Sequence, residues 1–79
     1  MEELLEKLRA DPASVTFAEL VRVCRHYFPD ERRGKGSHLI FRTGLIEQPL
    51  LVVQPRGRMA KEYQCRQVVI AIERKGSSK

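Results

Sequence analysis

Acidic residues are scarce in one half of this chain, its cysteines are few and distant, and none of its apolar runs is long. Each shortage excludes something. Through Glu31 there are four basic and seven acidic residues, whereas from Arg32 onward there are eleven basic and only three acidic, Glu47, Glu62 and Glu73. With so few carboxylates in the C-terminal half, a metal-dependent nuclease or other carboxylate-held cation centre is not expected there. The two cysteines, Cys24 and Cys65, form no C-x-x-C pair and follow no secretory leader, so neither a zinc cluster nor an oxidised scaffold is indicated and a cytoplasmic protein is expected. No run approaches the roughly 20 apolar residues that cross a bilayer. Internal repeats, low-complexity tracts, linkers, paired carboxylates, a Ser/His/Asp arrangement and cofactor fingerprints are all missing, and no cofactor is called for.

What remains is 79 residues with a net charge of +5, split into about −3 before Arg32 and +8 after it. A single domain over 1–79 is expected, small enough to bury only about 60% of its unfolded surface. Clustered Lys and Arg release counterions when they neutralise phosphates, so a polyanion is one natural partner, nucleic acid first. A merely solvated basic surface accounts for the charge equally well.

Met1, Leu4, Leu5 and Leu8 share a helical face that Pro12 stops, which gives an N-terminal helix within 1–11. A helix that short needs a docking site. "TFAE" has the form of a capping box, Thr16 as N-cap and Glu19 reaching back, and Phe17, Leu20, Val21, Cys24, Tyr27 and Phe28 make the apolar stripe of a second helix ending near Pro29. "SHLIFR" and "PLLVVQ" read as an antiparallel hairpin turning through Gly44, with a shorter strand over Glu31 to Arg33 ahead of it. After a "QPRGR" loop, Cys65, Val68, Val69 and Ile72 recur at helical spacing, so the last helix is expected over about Met59 to Arg74, with a frayed tail over 75–79. The result is an α+β fold of order ααβββα: a small three-stranded antiparallel sheet with helices on one face and the other face open.

Chemistry concentrates in "RRGKGSHLIFR". Strand alternation puts His38, Ile40 and Arg42 on one face and Ser37, Leu39 and Phe41 on the other. An imidazole can exchange protons near neutral pH while nearby cations hold a phosphate, although histidines on sheet faces are also common as plain surface residues. Either Gly34 and Gly36 permit a tight turn or bulge, or their amides and Lys35 form a concave anion site. "GKGS" lacks the spacing of a nucleotide-binding phosphate loop. Arg56 and Arg58 precede a helix N-terminus, a place that attracts phosphate, and a charged turn explains them too. His26 falls on a polar helix side and reads as solvated; Cys24 and Cys65 fall on apolar stripes and read as core.

At "RRGKGSHLIF" followed by "PLLVVQPRGRMAKEYQCRQVV", the chain resembles the HicA family of bacterial toxins. The family has a G-S-H core after a basic strand, then an apolar strand, a basic glycine loop and a helix opening with a K-x-Y-Q-x-R-Q run. Here these are Gly36-Ser37-His38 and Lys61-Glu62-Tyr63-Gln64-Cys65-Arg66-Gln67. The likeness covers Phe17 to Ile72, with the first helix an addition at the N-terminus. Many members carry a second histidine directly after the first, where this chain has Leu39. The resemblance implies a double-stranded-RNA-binding-domain-like fold and a messenger-RNA endonuclease of a type II toxin-antitoxin system, neutralised by a HicB-type antitoxin. It also implies that His38 is catalytic. Arg33, Lys35, Gly36, Ser37, Arg42, Arg56, Arg58 and Lys61 are then the expected contacts to RNA phosphates, in a metal-independent reaction. Two other readings use the same basic face: a non-catalytic RNA-binding module, and a protein that docks an acidic partner.

Overall fold

The computed structural model describes residues 1–77. Its order is α1 (Glu2–Ala10), a 3-10 turn (Pro12–Ser14), α2 (Phe17–Tyr27), β1 (Glu31–Arg33), β2 (Leu39–Arg42), β3 (Leu50–Val53), β4 (Pro55–Arg56), β5 (Met59–Ala60) and α3 (Glu62–Ser77). The α+β class and the ααβββα order hold, with β4 and β5 as a small insertion before the last helix.

α1 buries Leu5 and Leu8 and packs against α2 and α3, the docking its length requires. α2 opens with the capping box in full: Glu19 N donates to Thr16 Oγ1 at 3.1 Å and Thr16 N donates to Glu19 Oε1 at 2.9 Å. Lys7 Nζ of α1 donates to both Glu19 carboxylate oxygens, at 3.0 and 3.1 Å, so one side chain caps α2 and ties α1 to it. α2 ends at Phe28, because a residue ahead of proline is pushed out of helical geometry.

The sheet is antiparallel in the order β1-β2-β3. Arg32, Ile40 and Val52 stand side by side, as do Arg33, Leu39 and Val53, and Arg42 stands beside Leu50. Phe41, Leu51 and Val53 are buried under the helices, against Leu20, Val23, Cys24, Phe28, Cys65 and Val68. Burying each such large side chain stabilises by about 1.5–3 kcal/mol. The opposite face, with Ile40, Leu50 and Val52, is left open.

Three expectations are corrected. The "QPRGR" segment is a β-hairpin: β4 pairs with β5, Phe17 N donates to Arg58 O at 2.9 Å, and Ala60 N donates to Val15 O at 3.0 Å. Backbone groups of Met59 and Ala60 are thereby satisfied by strand pairing, and α3 starts at Glu62 rather than Met59. β2 begins at Leu39, since His38 closes the preceding turn. α3 runs past the expected Arg74 through Ser77, and Lys75 Nζ lies 5.0 Å from the Phe28 ring centre while donating to Tyr27 O at 3.1 Å. The last two positions, 78 and 79, lie outside the described residues.

Candidate functional site

His38 is placed by the turn Lys35-Gly36-Ser37-His38. His38 N donates to Lys35 O at 3.1 Å, and Gly36 has φ +59 while Ser37 has a negative φ, the pattern of a II′ turn that asks for glycine first. The same carbonyl accepts a second hydrogen bond, from His38 Nδ1 at 2.7 Å. A carbonyl oxygen only accepts, so Nδ1 carries the proton and the neutral ring leaves Nε2 bare. Gly34 directly opposes His38 and gives its N–H to His38 O at 2.9 Å. A Cβ on Gly34 would stand 3.1 Å from His38 Cβ and 3.3 Å from Ile40 Cδ1, so the missing side chain leaves the room that His38 and Ile40 take at this pair. Lys35, Gly36 and Ser37 are exposed, and the amides of Gly36 and Ser37 have no backbone partner among the described residues. Four of the expected residues, Lys35, Gly36, Ser37 and His38, are thus gathered in one turn able to present two N–H groups and an ammonium to an anion, with a bare imidazole nitrogen in the same turn to accept a proton.

The remaining expected residues are distributed. Arg33 shares its row with Leu39 and Val53, toward the helix side of the edge strand, and Arg32 is the residue that shares the open face with Ile40. Arg42 is on that open face as expected, but four extended positions from His38, roughly 13 Å along the strand. It also pairs with Asp30 at 3.7 Å, so it does not reach a group held at His38. Arg56 and Arg58 sit on the β4–β5 hairpin rather than at a helix N-terminus, with Gly57 at φ +63 between them. Arg56 and Lys61 line a groove with Tyr63 and Arg66. This hairpin leaves β3 at the same end of the sheet as His38, since one step past the pair Leu39↔Val53 puts Gln54 opposite His38.

Charge is used unevenly along the chain. Lys7, Arg9 and Arg25 are held by carboxylates of the fold. Among the described residues, Arg32, Lys35, Arg56, Arg58, Lys61 and Arg66 make no ion pair, whereas Arg33 acts through its charge on the Glu31 carboxyl. Their positive potential is therefore available to a ligand.

Both cysteines are buried and free of any disulfide. Burial pushes the Cys24 thiol up to about 12 and the Cys65 thiol up to about 11, which makes them core residues and not nucleophiles. His26 is exposed, edge-on to Tyr27 with ring centres 4.8 Å apart. Among the described residues no cluster of three His, Cys, Asp or Glu could hold a metal ion, and no helix is long and apolar enough to cross a membrane.

Arg32 was missed by reading alternation within β2 alone; the pairing of β1 with β2 decides its face. Tyr63 and Arg66 were visible only as members of a family-like run. No family model, no curated protein and no solved structure matches this chain.

Proposed function

We propose that this protein is a metal-independent endoribonuclease that cuts messenger RNA in the cytoplasm and stops translation, the toxin of a type II pair held in check by a HicB-type antitoxin. The observation that carries the reading is His38: its Nδ1–H is committed to Lys35 O, which leaves Nε2 of the neutral ring bare in the turn that also carries Lys35. Omitting α1, the order of helix, three strands and helix supports a double-stranded-RNA-binding-like fold, a type that holds RNA by shape and by its 2′-hydroxyls.

In the reaction, Nε2 takes the proton of a 2′-hydroxyl as its oxygen attacks the adjacent phosphorus. The new O–P bond closes a 2′,3′-cyclic phosphate, the bond to the 5′-oxygen breaks, and that oxygen takes a proton from the imidazolium or from water. Lys35 and the amides of Gly36 and Ser37 stabilise the charge on the phosphorane, and Lys35 O stabilises the imidazolium through Nδ1–H. Arg32, Arg56, Arg58 and Lys61 neutralise flanking phosphates. An antitoxin that covers this basic face with carboxylates would block His38 and the RNA together.

Cleavage of a labelled messenger RNA in chelator by the unaltered protein and by His38→Ala tests this. The unaltered protein should yield cyclic-phosphate ends from RNA and leave all-DNA strands whole; DNA cut at a similar rate would sink the reading. One observation favours a non-catalytic RNA-binding module instead: the cationic groove at Arg56, Lys61 and Arg66 does not involve His38. In that case neither protein cuts and both bind.

A further inference from the structure

The groove between the β4–β5 hairpin, the 3-10 turn and the first turns of α3 has a feature that charge alone does not explain. Its walls carry Arg56, Lys61 and Arg66 against a single carboxylate, Glu62, and between them stands Tyr63, 52% exposed. Tyr63 and Arg66 are three apart on α3 and so share a helix face. Exposed tyrosines are ordinarily free to swing. This one is held: Gln64 Nε2 donates to its hydroxyl at 3.2 Å, and Gln64, itself 4% exposed, accepts at Oε1 from Gln54 N at 3.0 Å. A buried side chain anchored to the end of β3 therefore fixes the far end of an exposed ring. The phenol oxygen accepts in that contact, which leaves its own O–H to be donated outward.

Resting on the RNA reading above, we propose that Tyr63 is a stacking platform for an unpaired RNA base, in a groove where Arg56, Lys61 and Arg66 hold the flanking phosphates. An aromatic face interleaved with cations is the arrangement by which single strands are held without sequence readout. A ring fixed before binding loses little freedom on binding. Gln54, which anchors Gln64, is opposite His38 in the extended β2–β3 register, so a strand leaving the groove along the end of the sheet runs toward the Lys35–His38 turn. The occupant is single-stranded because a base must be out of its pair to lie on the ring.

The test uses the full chain with His38→Ala, so that RNA is bound and not cut, and follows anisotropy of a labelled eight-nucleotide RNA strand and of a blunt RNA duplex. Adding Tyr63→Ala should weaken the single strand about tenfold and the duplex less than twofold. Adding Tyr63→Trp should keep the affinity, and since the chain has no other tryptophan, its emission should be quenched by the strand. Lys61→Gln and Arg66→Gln should each lower the salt slope of binding by about 1. Equal binding with and without the Tyr63 ring, or an equal loss for strand and duplex, overturns the platform while leaving the RNA reading intact. If neither the unaltered chain nor His38→Ala binds RNA, both fall together. Should Tyr63→Ala unfold by circular dichroism, the tryptophan variant decides: an unquenched emission at saturating RNA overturns the proposal.

Discussion

Two turns of this molecule are built alike and equipped differently. Lys35-Gly36-Ser37-His38 and Arg56-Gly57-Arg58-Met59 both reverse the chain through a glycine in left-handed geometry flanked by a cation, at φ +59 and +63. Both lie at the end of the sheet where β3 exits. In the first, a carbonyl of the turn binds the imidazole and sets its tautomer. In the second, the flanking side chains are arginines, which stay protonated and cannot act as a general base, and the neighbouring groove adds a tyrosine. On the proposed reading, one basic turn does acid–base chemistry and the other only holds. Positive charge by itself would not have separated them; the tautomer of one ring does.

The largest expected effect breaks the comparison at its chemical end. His38→Ala should lower cleavage in chelator by about a hundredfold or more while RNA affinity stays within about twofold. Arg56→Gln paired with Arg58→Gln should do the reverse, raising KM and reducing the salt slope by about 2 with kcat largely kept. If the arginine pair lowers kcat as much as the histidine does, the division of labour between the turns is wrong.

A second pair of substitutions sharpens the same contrast with smaller effects. At Gly34 an added Cβ meets His38 Cβ at 3.1 Å, whereas at Gly57 it meets nothing within 4 Å and is strained only by φ +63. Gly34→Ala should therefore displace the imidazole by a few tenths of an ångström and lower kcat about tenfold, with a small change in melting temperature. Gly57→Ala should cost about 1 kcal/mol of stability, a fall of roughly 4–8 °C in Tm, and leave kcat unchanged. Thermal melts and single-turnover kinetics on the two variants separate these outcomes, and a Gly34→Ala variant of full kcat would show that His38 is not held by that contact.

What could be read from the sequence was what is local. The Thr16–Glu19 cap spans three residues, and the alternation of Leu39 to Arg42 against Leu50 to Val53 spans one hairpin, so both are legible in a short window. The β4–β5 hairpin was not, because its strands are two residues long and owe their geometry to Val15 and Phe17, some forty positions earlier. The gathering of Lys35, Gly36, Ser37 and His38 was legible because glycine spacing marks a tight turn. The face taken by Arg32 rather than Arg33, the separation of Arg42 from His38, and the hold of Gln54 and Gln64 on Tyr63 were not. Each depends on register or on contact between distant segments, which a periodic pattern in one strand does not contain.

The same dependence of the second turn on a distant segment gives the smallest expected effect. Its hairpin rests on Val15 to Phe17, and that segment is fixed by Glu19. Hydrogen bonding from Thr16 N, and then from Lys7, holds the Glu19 carboxyl below its ordinary 4.5. A carboxylate whose value is lowered on folding stabilises the fold above its unfolded value, and that contribution is lost as pH falls through the folded value. Glu19→Gln should therefore lower Tm at pH 7, and the gap between variant and unaltered protein should close as pH falls below the ordinary 4.5 and through the lowered folded value. Hydrogen exchange at acid pH should loosen Phe17 N and Ala60 N, the amides that pair α2's entrance with the hairpin, before Gly34 N and the β1–β2 pair that support His38. Both turns loosening together would mean that the hairpin and the His38 turn open as one unit, and that acid does not distinguish them.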